Sequence, residues 1–169
     1  NLMQDAVKGI STKMAAIIGL SADKVKSVCD GINIAGQTVS VANYNSALQT
    51  VIAGTEDAVL EACKASKEAG AKLAKPLAVS VPSHCSLLQG AAEVFSADLN
   101  EVSFENTNFP IYFNVDASVK SSEDEIKKVM SEQIYSPVQW VKTIDNISKN
   151  HPDALLLEFG PGKVLTGLN

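Results

Sequence analysis

Within its first half the chain alternates short apolar or β-branched runs with stretches of helical spacing, and this order limits the possible folds more than any other feature. Strands are predicted at 14–20, 39–43, 49–54 and 72–81. Two helices are predicted between them, one capped by Ser21 and one from Thr55 to Gly70. The first should bury Val25 and Val28, which are spaced to lie on one face. The resulting order is strand, helix, strand, strand, helix, strand.

This order is that of a ferredoxin-like unit. We therefore predict a small βαββαβ subdomain over residues 11–81. Its second helix should carry the apolar set Val59, Leu60, Ala62 and Cys63. The predicted fold class is α/β, with this α+β unit as the smaller part.

The second half of the chain has a different pattern, in which helices alternate with apolar strands. Strands are predicted at 109–115 and 154–159, and a last helix is predicted to begin at 163–165. Further helices are predicted from Ser83 or Ser86, from the capping box formed by Ser122 and Glu125, and near Pro137. Such alternation indicates a parallel sheet. Two strands are too few to build one, so this half is predicted to be part of a larger domain.

Composition excludes several classes of partner and site. The net charge is −5 and all 14 basic residues are lysines, so nucleic acid is not a predicted partner and no guanidinium clamp can be completed by this chain alone. No apolar run approaches the roughly 20 residues of a membrane span. The three cysteines form no CxxC pair, which argues against a zinc site or disulfide framework and favours a reducing cytosol.

His84 is the first candidate for chemistry, because it lies between a predicted strand end and a predicted helix start, where α/β sites gather side chains. The alternative is a histidine whose ring is held by a turn carbonyl. Its neighbour Cys85 is predicted to be a small buried residue, since adjacent side chains usually point apart and a nucleophile must face its base. His151 precedes a proline in a polar loop and is predicted to be solvated.

Two other segments invite a functional interpretation. The residues 160–163, Gly-Pro-Gly-Lys, lack the first glycine and the Ser/Thr of a phosphate-binding loop, so a structural turn is favoured. Asn43 and Asn45 stand near the end of a predicted strand. Their amides either satisfy their own turn or point into a cleft and bind a polar substrate chain.

Six segments, taken together, resemble the malonyl-CoA:acyl carrier protein transacylases of the stand-alone type found in fatty acid synthesis. They follow the family's order and spacing, and they are 2–4, 42–46, 70–72, 79–84, 132–140 and 158–168. The resemblance implies a two-step acyl transfer from malonyl-CoA to the phosphopantetheine thiol of acyl carrier protein. A serine in a GHSxGE elbow is the nucleophile, an arginine holds the malonyl carboxylate, and no cofactor or metal is used.

The resemblance also implies roles for individual residues. His84 would be the general base, and the main-chain carbonyl of Gln133 would orient its ring. Ser83 and Met3 would line the acyl pocket. Asn43 and Asn45 would face the thioester arm.

Two family features are absent from the sequence, because it has neither a GHSxGE elbow nor an arginine. The resemblance places both upstream of Leu2, so the chain is expected to be inactive alone and to need the missing N-terminal portion as a partner. It implies that residues 1–10 are the tail of a hydrolase-like large subdomain and that 82–169 are its C-terminal part. A cytoplasmic location is expected.

Two alternatives stay open at this point. One is an acyltransferase domain of a modular synthase, although the four residues ending at His84, Val-Pro-Ser-His, favour the stand-alone form. The other is a non-catalytic ferredoxin-like binding module in which His84 is structural. The missing nucleophile supports the second alternative.

Overall fold

The computed structural model describes residues 2–32, 36–105 and 107–168. Its helices are α1 (Leu2–Ala6), α2 (Ala22–Ile32), α3 (Glu56–Glu68), α4 (Gln89–Asn100), α5 (Glu123–Glu132) and α6 (Trp140–Asn150), and a short 3-10 helix (Ser86–Leu88) precedes α4. Its strands are β1 (Thr12–Ile18), β2 (Val39–Ser46), β3 (Gln49–Thr55) and β4 (Leu73–Pro76).

The four strands form one antiparallel sheet in the order β2-β3-β1-β4. Strand β1 pairs with β3 over its full length and with β4 over Ala15–Ile18. Because α2 connects β1 to β2 and α3 connects β3 to β4, the element order and the sheet order together confirm the ferredoxin-like prediction.

The main core fills the space between one face of the sheet and helices α2 and α3. Successive side chains of a strand point to opposite faces, so Ala15 and Ile17 of β1 face this core. Helix α2 contributes Val25 and Cys29, which are one turn apart. The other members are Leu20, Val39, Val41, Ile52, Ala58, Val59, Ala62, Cys63 and Ala71.

A second, smaller cluster covers the opposite face of the sheet. It consists of Met14, Ala42, Val51, Ala53 and Cys85, with Leu77 and Leu87 packed against it. The Leu77 N–H extends the pairing with β1 by donating to the Met14 carbonyl at 2.8 Å, after which the chain leaves the sheet and brings Cys85 and Leu87 to this face. The strand predicted over 72–81 is therefore short.

The second half of the chain contributes three helices, α4, α5 and α6. Helix α4 contacts both α1 and α5, and α6 packs against β2. The predicted capping box of α5 is confirmed: the Ser122 hydroxyl accepts from the Glu125 N–H, and the Glu125 carboxylate accepts from the Ser122 N–H. Among the described residues no side chain caps α4, because the 3-10 helix leads directly into it.

Several sequence predictions are wrong in detail. The segments 109–115 and 154–159 are not strands, and residues 163–165 form no helix, with a turn over 164–168. Phe159 is 91% exposed, and Leu155 is 81% exposed. A strand apolar on both faces forms only when neighbours pair with its edges, and no described segment pairs with this one. Leu60 is exposed because it faces away from the sheet.

None of the helices in residues 2–32, 36–105 and 107–168 is long and apolar enough to cross a lipid bilayer. Within the same ranges, no cluster of three or more His, Cys, Asp or Glu side chains has the arrangement of a metal site.

Candidate active site

His84 occupies a tight turn between the end of β4 and the 3-10 helix. Its φ of 63° lies in the left-handed region, which a non-glycine residue adopts only when its surroundings hold it there. Its backbone N–H donates to the Ile134 carbonyl at 3.1 Å. The half-buried ring is thus presented from a backbone position that the fold constrains.

The ring of His84 is oriented by a second carbonyl of the same segment. Its Nδ1 lies 2.7 Å from the main-chain oxygen of Gln133. Because a carbonyl oxygen only accepts, Nδ1 carries the proton in the neutral ring, and Nε2 holds the free lone pair. No described residue hydrogen-bonds Nε2, so this nitrogen is free to take a proton.

Gln133 and Ile134 owe their positions to the end of α5 and to the sheet. The Gln133 N–H closes the last turn of α5 by donating to Val129 at 3.0 Å. Further along, the Val138 N–H donates to the Ala42 carbonyl at 2.8 Å, and the Val138 carbonyl accepts from Tyr44 at 2.9 Å. The segment 133–138 is therefore fixed to α5 at one end and to β2 at the other.

The other four predicted site residues lie beside His84 in the turn, on β2 and on α1. Ser83 precedes His84 and is half-buried. Asn43 lies between the two β2 residues that hydrogen-bond Val138. Asn45 lines a cavity of about 270 Å³ beside α6. Met3 is half-buried on α1, which packs against α4 and the 3-10 helix.

The structure thus brings His84 and Gln133 into direct contact and joins Asn43 to them through Val138. Within residues 2–32, 36–105 and 107–168, no hydrogen bond links the His84 side chain to Met3 or Asn45. Sequence reasoning missed Ile134, Val138 and Ala42, which act through main-chain groups. Every residue carries such groups, so no sequence signal marks the ones that matter.

Cys85 is buried, as predicted, and does not form a catalytic pair with His84. Its thiol points under the sheet and donates to the Pro82 carbonyl at 3.1 Å. Burial raises the pKa of this thiol to about 11. It therefore stays protonated near neutral pH, which makes it a poor nucleophile.

The glycine-rich segment near the end of the chain is a structural turn. The carboxylate of Glu158 accepts from the N–H groups of Leu165 at 3.1 Å and Thr166 at 2.9 Å, and from the Thr166 hydroxyl at 2.7 Å. These bonds, first among them that of the Thr166 hydroxyl, hold the pKa of Glu158 below its ordinary value. The carboxylate occupies the N–H groups of Leu165 and Thr166, which an anion would otherwise need.

Two curated relatives show how far the sequence similarity extends. The malonyl CoA-acyl carrier protein transacylase of Escherichia coli K12 is 43% identical over 166 residues, which are 98% of this chain and 53% of that protein. The protein of the same name from Bacillus subtilis 168 is 39% identical over 98% of this chain and 52% of its own length. The chain thus spans about half the length of the curated relatives it matches. No family model matches it.

Solved structures give the same result for the fold. An acyl carrier protein S-malonyltransferase from Vibrio cholerae superposes with a TM-score of 0.93 at 44% identity, covering 99% of this chain and 54% of that one. A malonyl-transacylase in complex with its type II polyketide acyl carrier protein gives 0.94 at 44%, covering 99% and 53%. Because these relatives and structures are named as transferases, they do not favour the alternative of a non-catalytic ferredoxin-like binding module. By sequence and by fold, the chain belongs to the malonyl CoA-acyl carrier protein transacylase family.

Proposed function

We propose that this chain supplies the general base of an enzyme that transfers a malonyl group from coenzyme A to acyl carrier protein in fatty acid synthesis. The observation that carries the proposal is the 2.7 Å contact between His84 Nδ1 and the Gln133 carbonyl. This contact favours the tautomer protonated at Nδ1, which leaves Nε2 as the proton acceptor. A serine-histidine acyl transfer requires this tautomer.

The first half-reaction forms an acyl-enzyme. His84 Nε2 removes the proton of a serine hydroxyl, and the serine oxygen attacks the malonyl thioester carbon. When the carbon–sulfur bond breaks, the coenzyme A thiolate leaves and takes the proton from His84. The Gln133 carbonyl keeps the ring in place and interacts favourably with the imidazolium while it is charged.

The second half-reaction returns the enzyme to its starting state. His84 Nε2 removes the proton of the phosphopantetheine thiol of acyl carrier protein, and the sulfur attacks the acyl-serine. The serine oxygen leaves and takes the proton back. No redox step occurs, so malonyl-CoA and the carrier protein are the only reactants and no cofactor is needed.

The other half of the enzyme must supply what this sequence lacks. The present sequence has no GHSxGE elbow and no arginine, so the nucleophile and the clamp on the malonyl carboxylate are assigned to the remaining N-terminal portion. We assign residues 11–81 to the small subdomain. Residues 1–10 and 82–169 belong to the hydrolase-like subdomain that the other portion completes.

Four further residues receive substrate-binding roles in this proposal. Ser83 and Met3 line the acyl pocket, where the small side chain of Ser83 leaves room for a malonyl group. Asn43 and Asn45 contact the thioester arm by hydrogen bonds from their amides. The carrier protein is the macromolecular partner, as in the complex of the related transacylase named above.

The test is reconstitution of transfer. The chain is combined with the upstream portion encoded with it, and malonyl transfer to a phosphopantetheinylated carrier protein is followed by mass spectrometry. His84→Ala should lower the rate at least about a hundredfold, the usual size of a general-base contribution. The matched control is His151→Ala, which changes the only other histidine and should leave the rate unchanged. Equal rates for both variants would contradict the proposal.

A further inference from the structure

The turn that carries His84 is held in place by the next residue, Cys85. Cys85 is 1% exposed and belongs to the cluster beneath the sheet that includes Met14, Ala42 and Ala53. The backbone here changes direction sharply, since His84 is left-handed and Cys85 is extended with a φ of −135°. The Cys85 side chain therefore anchors the turn to a rigid sheet at the point where its backbone is least free.

The thiol and the backbone of Cys85 both take part in closing this turn. Its Sγ donates to the Pro82 carbonyl at 3.1 Å, which ties the residue after His84 to the residue two before it. Its carbonyl accepts from the Leu88 N–H at 3.1 Å, which begins the 3-10 helix. The turn is thus fixed on both sides of His84.

The contacts around His84 also form a closed ring with the sheet. His84 bonds the segment 133–134, and Val138 of the same segment donates to the Ala42 carbonyl. Ala42 is fully buried in the same cluster as Cys85. A movement of Cys85 would therefore shift the His84 ring relative to the Gln133 carbonyl.

We propose that Cys85 is a positioning residue for His84. The buried thiol of Cys85 sets the distance between the His84 imidazole and the Gln133 carbonyl. Its catalytic consequence rests on the proposed function, but the positioning itself can be measured without activity. A cysteine suits this place because it is small and apolar enough for the cluster while its S–H still donates. Alanine loses the donor and leaves a void, whereas serine keeps the donor but places a hydroxyl among apolar groups.

The test uses nitrogen-15 NMR of the His84 ring in the full chain. The unchanged protein should show one neutral tautomer, protonated at Nδ1, with slow exchange of that proton. In Cys85→Ala the Nδ1 proton should exchange about tenfold faster, corresponding to partial loss of one hydrogen bond, and the second tautomer should appear. Cys85→Ser should show a smaller but measurable loss of the Nδ1 tautomer, because its hydroxyl keeps the donor but lies among apolar groups.

Cys29→Ala is the matched control, because Cys29 is also 1% exposed but lies in the core on the opposite face of the sheet. It should lower stability without changing the His84 signals. Unchanged His84 signals in Cys85→Ala, or equal changes in Cys29→Ala, would overturn the proposal. If Cys85→Ala does not fold, the decision passes to Cys85→Ser, whose unaltered signals would also overturn it. A normal His84 signature without transfer on reconstitution would contradict only the proposed function.

Discussion

Main-chain groups, more than side chains, define the environment of His84 at the scale of single residues. The sequence directs attention to His84 because it stands between a predicted strand and a predicted helix. The carbonyl of Gln133 was assigned only through family resemblance, and the carbonyl of Ile134 was not predicted. This difference is physical, since a carbonyl acceptor is common to all residues and only the fold selects one.

Glu56 provides a test of stability at the residue scale. Its carboxylate accepts from Lys13 and from Ser11, and these bonds, that of Lys13 first, hold its pKa below the ordinary value of 4.5. A carboxyl whose folded-state pKa is lowered stabilises the fold above its unfolded pKa, and this contribution disappears as the pH falls through the folded value. The Tm of the chain should therefore decrease as the pH is lowered below about 4.5.

Glu56→Gln should flatten this acid-side fall in Tm, because glutamine has no proton to bind. Glu61→Gln, at an exposed position of the same helix, serves as the control and should leave the fall in place. Thermal melts of the three proteins between about pH 3 and pH 7 give the comparison. The same slope in Glu56→Gln as in the unchanged chain would contradict the assigned role of this carboxyl.

Helices and strands form where the sequence predicts them when their partners lie within the chain. Strands β1 to β3 and helices α2 and α3 match their predictions to within a few residues, because each has a buried face that another described element covers. The capping box of α5 was predictable from the sequence because Ser122 and Glu125 lie only three residues apart. The start of α4 was not, because the 3-10 helix Ser86–Leu88 replaces a side-chain cap.

The stability of helix α5 matters for the site because the last turn of this helix fixes Gln133. Ser122→Ala should lower the free energy of unfolding by about 1 kcal/mol, the usual cost of losing an N-cap side chain. Ser121→Ala, one residue earlier and exposed, should change it by much less. Chemical denaturation measures both. Equal effects in the two variants would mean that the capping box does not stabilise α5.

On the scale of the whole molecule, the chain carries a surface that none of its described residues covers. The apolar run 154–159 is exposed, although its composition is that of a strand buried on both faces. Its conformation was not predictable from local pattern, because a central strand depends on neighbours and the chain spans about half the length of its relatives. The isolated chain should accordingly self-associate through this exposed run.

Phe159→Lys should reduce self-association of the isolated chain and weaken reconstitution with the other portion, because it places a charge in the exposed apolar run. Leu48→Lys is the control, since Leu48 is exposed at the β2–β3 turn and far along the chain from that run. Light scattering reports self-association, and transfer activity reports reconstitution. If Leu48→Lys has the same two effects, the run 154–159 is not the responsible surface.

The central claim is that His84 acts as base for a nucleophile on the other portion of the enzyme. The most direct measurement is the intact mass of both chains after they are mixed with malonyl-CoA. One malonyl group should appear on the supplied portion, and only when this chain carries His84. A malonyl group on this chain itself, or on the other portion irrespective of His84→Ala, would contradict the claim.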